Sequence, residues 1–139
     1  MTRHLPDRVL GTAAALILLA LTGCAAQRAY EDGEALLRQG RGAEALTKFE
    51  EAGRTEPGTA TYRLATVRTR EALIRAQVEQ ADAALSSGQI DNAEAGYRQA
   101  LTWNGADARA LDGLQRVERA RRLARWQAEA AEAAQREPE

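Results

Sequence analysis

The chain has 139 residues, a formal net charge of -1, one cysteine, one histidine, 31 alanines, and 18 arginines to a single lysine. One cysteine excludes an intrachain disulfide, and the near-balanced charge argues against a nucleic-acid partner. An alanine-rich, proline-poor chain with few β-branched residues is a helix former, which predicts an all-α fold.

In chain order, the first eight residues carry Arg3 and Arg8 against Asp7, and the next thirteen, Val9 to Leu21, carry no charge. As a helix those thirteen residues reach roughly 20 Å, short of the roughly 30 Å hydrocarbon core of a bilayer. The layout therefore predicts an export signal and not a membrane span. Leu21-Thr22-Gly23-Cys24 follows directly.

That tetrapeptide resembles the lipobox of bacterial lipoproteins. The resemblance implies cleavage before Cys24 and a diacylglycerol on its thiol. The expected organisation is a signal peptide over 1–23, a lipidated tether over 24–28, a helical domain over 29–135 and a polar tail over 136–139. One acyl chain gives only marginal membrane binding at about 0.8 kcal/mol per methylene, so two or three chains on Cys24 would make a stable anchor. Ala25 and Ala26 replace the aspartate associated with inner-membrane retention, which implies the periplasmic face of the outer membrane.

Beyond the signal, eight acid-base pairs stand four residues apart with the acid first: Glu34 and Arg38, Glu44 and Lys48, Glu50 and Arg54, Glu71 and Arg75, Glu94 and Arg98, Asp112 and Arg116, Glu118 and Arg122, Glu132 and Arg136. This is the favourable helical orientation, and the pairs are expected on solvated helix faces. Gly40 to Ala52 and Gly88 to Ala100 repeat each other at an offset of 48: a turn glycine, an alanine five later (Ala45, Ala93), an aromatic (Phe49, Tyr97) and a further alanine. The glycine permits a turn between antiparallel helices, the alanines permit close approach, and the aromatic fills the space between them.

This pattern resembles the tetratricopeptide repeat, a helix-turn-helix unit of 34 residues. Gly33 and Ala81 match its small position in the first helix, and Pro57 its closing proline. The family's bulky aromatic and leucine fall on Ala29 and Asp32 in one copy and on Gln77 and Gln80 in the other, so both first helices are atypical. The resemblance implies two repeats with unusually long connecting and C-terminal helices. It also implies a partner-binding groove lined by Gln27, Tyr30, Glu34, Leu37 and Arg38 from one repeat and by Arg75, Val78, Asp82, Leu85 and Ser86 from the other.

The connecting helix is expected from about Thr59 to Ser87 and the last from about Asp107 to Gln135, since no proline interrupts either. Leu64, Val67, Glu71, Ile74, Val78, Ala81 and Leu85 form a heptad seam broken only by Glu71. Leu111, Leu114 and Glu118 repeat its start 47 residues later. Such a seam is expected to pack within the chain, with self-association as the sharper alternative. Arg116, Arg119, Arg122 and Arg125 form a stripe expected to be a solvated face, or else a contact for anionic lipid or an acidic partner.

No catalytic or metal-binding residue is expected. The only histidine, His4, falls in the signal, and Cys24 would be acylated, leaving no imidazole base or free thiolate. Gly40-Arg41-Gly42 lacks the lysine of a phosphate loop. The covalent lipid is the only expected cofactor.

A lipobox with such repeats resembles the N-terminal region of outer-membrane secretins, without their channel domain. The implied function is an anchored adaptor or pilotin-like assembly factor for an envelope protein such as a secretin or pilus component. The alternative is a structural helical spacer or homodimer.

Overall fold

The computed structural model of the protein describes residues 24–136, and these are helical throughout apart from four short turns. The described helices are α1 (residues 24–38), α2 (Gly42–Thr55), α3 (Ala60–Ser86), α4 (Ile90–Trp103) and α5 (Ala108–Arg136). The fold is all-α. The expected export signal, with His4 and the residues before Cys24 that resemble a lipobox, and the last three residues lie outside the described segment. Residues 24–28, expected as a tether, belong to α1, and Ala26 is fully buried.

Gly40 and Gly88 close α1 and α3 in the same way. Both have positive φ, 75° and 78°. The Gly40 N–H donates to the Leu37 carbonyl at 3.0 Å and the Arg41 N–H to the Leu36 carbonyl at 2.9 Å. Gly88 and Gln89 reach Leu85 and Ala84 at 3.1 and 2.9 Å. This paired pattern satisfies the last helical carbonyls and requires a left-handed residue, which glycine adopts without steric cost.

The second type of turn also recurs at 48. The Glu56 N–H bonds Ala52 and the Thr59 N–H bonds Glu56, as the Asn104 N–H bonds Ala100 and the Asp107 N–H bonds Asn104. Only the later copy is capped by a side chain: Asp107 Oδ1 accepts from the backbone N–H groups of Arg109 and Ala110, each at 3.1 Å. The Arg109 guanidinium and these amides hold the Asp107 carboxyl below the usual carboxylate range. Its stabilising effect is therefore complete above the ordinary aspartate pKa and is lost as pH falls through the lowered one. We expect Asp107→Asn, a good cap that does not titrate, to differ from the parent at pH 7 and the difference to shrink as pH falls below the ordinary aspartate pKa in urea unfolding. Parallel acid dependence in the two proteins would contradict this role.

The chain divides into two units, Met1–Arg70 and Glu71–Glu139, with the boundary inside α3. In the first, Ala26, Ala29, Ala52 and Tyr62 form the buried cluster with Tyr30 packed on it. Tyr30 stacks obliquely on Phe49 and Tyr62, with ring centroids 5.5 and 5.3 Å away. Ala29, where the resembled repeat carries a bulky aromatic, is thus buried among aromatics from neighbouring positions. In the second unit, Ile74, Val78, Ala81, Ala93, Tyr97, Ala100, Ala110 and Val117 form the core, and Leu85, Leu101, Trp103 and Leu114 pack against it.

Two expectations need correction. The seam along α3 is not one stripe: Leu64 and Val67 are 47% and 58% exposed, while Ile74, Val78 and Ala81 are buried. In the first unit α3 instead buries Tyr62 and Thr69, which occupy a different row of the helix. A heptad drifts against 3.6 residues per turn, and nothing forces one row to serve two cores. The structural repeat also runs at 48, since α3 starts at Ala60 and α5 at Ala108, so the likeness at 47 does not join structurally equivalent residues. Leu111, aligned by its neighbours with Arg63, is accordingly exposed.

Of the eight expected acid-base pairs, three form: Glu94 with Arg98, Asp112 with Arg116, and Glu132 with Arg136. Most of the remaining groups find other partners, and Glu118 is in none of the described ion pairs. Glu44 pairs with Arg41 and Glu51 with Lys48. Glu50 takes Arg70 at 2.7 Å and Glu71 takes Arg109 at 2.9 Å. An exposed pair at i,i+4 is worth only tenths of a kcal/mol, so a guanidinium on another helix competes easily.

Candidate docking crevice and its filled counterpart

The offset of 48 places equivalent residues in equivalent structure, so each unit can be read against the other. In the first, α1, α2 and the start of α3 enclose a crevice of about 250 Å³. Phe49 lines it with Tyr30, Leu37, Leu64 and Ala65, and Glu34 and Arg68 supply its charges. Leu37 and Leu64 are 43% and 47% exposed. Tyr30 donates its hydroxyl to Glu34 at 2.8 Å, a bond that with burial raises the phenol pKa.

The same positions in the second unit are Tyr97 for Phe49, Asp82 for Glu34, Leu85 for Leu37, Asp112 for Leu64 and Arg116 for Arg68. There they are joined. The Tyr97 hydroxyl donates to Asp82 at 2.6 Å, Arg116 reaches Asp82 at 2.7 Å and Asp112 at 3.0 Å, and its guanidinium lies 5.6 Å from the Tyr97 ring centroid. The Tyr97 bond and then Arg116 hold the Asp82 carboxyl below the usual range, although burial opposes them. Burial first, and then Asp82, pushes the Tyr97 phenol up to about 12.

The difference has a small chemical origin. Phe49 lacks the hydroxyl that anchors the network, and Leu64 replaces the carboxylate of Asp112. Arg68 has no comparable partners among the described ion pairs, and the crevice beside it stays open. What can bind there is an apolar side chain seated between Leu37 and Leu64, with a polar group at Glu34 or Arg68.

The expected groove residues are distributed unequally by this geometry. Tyr30, Glu34 and Leu37 meet at the open crevice. Gln27 is occupied within the first unit, accepting from the Tyr62 hydroxyl at 3.1 Å and donating to Glu31 at 2.8 Å. Val78, 6% exposed, belongs to the core and is not available to a partner. Leu85 packs on the same core, and Asp82 is held by Tyr97 and Arg116. Arg38, Arg75 and Ser86 are exposed, with Ser86 donating back to the Ala83 carbonyl at 2.8 Å. A sequence pattern that assigns a face by heptad or repeat position does not distinguish Leu37 from Leu85; the volume beside each decides.

Cys24 is exposed at the first described position of α1, two residues before buried Ala26. The arginine stripe is divided. Arg116 is committed to the network above, and Arg121, outside the stripe, bridges Asp91 and Glu94 at 2.5 Å each. Arg119, Arg122 and Arg125 are exposed, as is all of α5 from residue 122 to 136. Among the described residues, no helix is long and apolar enough to cross a membrane. No protein-family profile, curated protein or solved structure matches the chain.

Proposed function

We propose that the protein is a lipid-anchored adaptor of the bacterial envelope, a helical-repeat module of tetratricopeptide type held at the outer membrane through acylated Cys24. The open crevice of the first unit, set against its filled counterpart, carries this reading. It receives an apolar side chain from a helix of another envelope protein, for which a secretin or pilus component is the leading class. With Ala26 buried two residues after Cys24, the anchor is joined to the body without slack, so that partner would be met close to the membrane surface.

Two measurements test the reading. Alkyne-tagged palmitate is expected to label the wild-type chain in cells and not Cys24→Ala; unlabelled wild type, or labelled Cys24→Ala, removes the anchor. A photo-crosslinking phenylalanine derivative at Leu64 is expected to give one adduct in isolated membranes that is absent when the probe replaces exposed Ala95. Equal patterns at both positions would defeat the adaptor.

Exposed Leu64 and Val67 favour a second reading, a homodimeric spacer joined through α3. An adduct at twice the chain mass would select it. Ile74 is buried, so a charged residue there would disrupt the second core and not report on association.

A further inference from the structure

A separate groove in the first unit lies between α2 and the start of α3, with a volume of about 350 Å³. It is lined by Glu50, Gly53, Arg54, Arg63, Thr66, Val67 and Arg70. Gly53 is the reason it exists. The equivalent residue 48 positions later is Leu101, which packs against the second core, whereas a Cβ built on Gly53 meets no atom within 4 Å. Val67 is left 58% exposed at this groove.

The charges around it are unequal. Three arginines and one glutamate line the groove, a local excess of two positive charges in a protein whose formal net charge is -1. Glu50 is matched by Arg70 at 2.7 Å. Arg63 donates to the Pro57 carbonyl, which leaves its charge uncompensated, and Arg54 stands in the last turn of α2. A guanidinium presents several fixed donors to a carboxylate and binds it bidentately.

We propose that this groove docks an acidic segment of a partner protein. An aliphatic side chain of that segment occupies the space that Gly53 leaves beside Val67, and flanking carboxylates pair with Arg54 and Arg63. The apolar surface that Gly53 and Val67 present between the arginines favours a side chain over a lipid headgroup, which needs basic surface but no apolar seat. The assignment does not rest on the crevice beside Leu37 and Leu64.

The test is a selection of phage-displayed random twelve-residue peptides on the purified full chain, followed by fluorescence polarisation with the enriched peptides. Enrichment of acidic residues around a leucine, isoleucine or valine is expected. Binding should fall roughly tenfold or more in Gly53→Leu, which fills the recess, and in the double variant Arg54→Glu, Arg63→Glu. Ala95→Glu, at an exposed position of the second unit, should leave it unchanged, and helicity by circular dichroism should be retained in Gly53→Leu because that position is open. Peptides lacking acidic enrichment, or bound equally by Gly53→Leu, would overturn the proposal. So would arginine-dependent binding to phosphatidylglycerol vesicles with no peptide enriched.

Discussion

Tyr97→Ala is expected to lower the unfolding free energy by about 3–5 kcal/mol, the cost of removing a fully buried large aromatic side chain. Tyr97 has no exposed surface. Its loss empties the centre of the second core and takes away the hydroxyl that donates to Asp82 at 2.6 Å. Tyr97→Phe separates these effects, because it keeps the ring and makes the position like Phe49. Asp82 then still has Arg116, so the expected loss is about 0.5–1.5 kcal/mol.

The pH response supplies a second readout. A phenol raised from 10.0 to about 12 in the folded chain contributes stability that is fully present below the unfolded value. This contribution disappears as pH rises through that interval. Urea unfolding followed by circular dichroism should therefore show a steeper alkaline decline in the parent than in Tyr97→Phe, which keeps only the contributions of Tyr30 and Tyr62. A Tyr97→Ala protein within about 1 kcal/mol of the parent would mean that the ring is not central to the core.

Gly113→Ala is the second large effect, and its direction opposes helix propensity. A methyl group at Gly113 would lie 2.3–2.5 Å from three ring carbons of Tyr97, inside van der Waals contact with a fully buried residue. Overpacking of this kind costs about 1–3 kcal/mol or more, against a gain of about 1 kcal/mol from replacing a helical glycine. With contacts this short, a net loss is expected. In a Tyr97→Ala background the obstruction is gone, and the same substitution should become neutral or stabilising, a coupling that a double-mutant cycle measures. Stabilisation by Gly113→Ala in the parent would rule out the close approach.

The two units solve this contact differently. In the first, the ring of Phe49 lies against Gly33 of α1, where an added Cβ would meet it at 2.6 Å. The residue equivalent to Gly113 is Ala65. In the second unit Ala81 replaces Gly33, and the close approach of helix to ring moves to Gly113 of α5. The aromatic position was legible in sequence, as was Gly33. Gly113 was not, because a single glycine within a helical pattern carries no sign of which ring stands over it.

The sequence by itself determined the local structure: an all-α chain, left-handed turns at Gly40 and Gly88, long helices from Ala60 and Ala108, and one arrangement used twice at 48 residues. Helix propensity, proline placement and glycine turns act within a few residues, so they can be read along the chain. Tertiary structure alone decided which row of α3 is buried in each unit, which acid each arginine meets, and why Leu37 borders an open crevice while Leu85 packs on a core. Those outcomes depend on volumes and distances between helices. An arginine reaches several acids at nearly equal energy, and a single hydroxyl, as between Phe49 and Tyr97, or one side chain, as between Gly53 and Leu101, decides whether a recess fills or stays open.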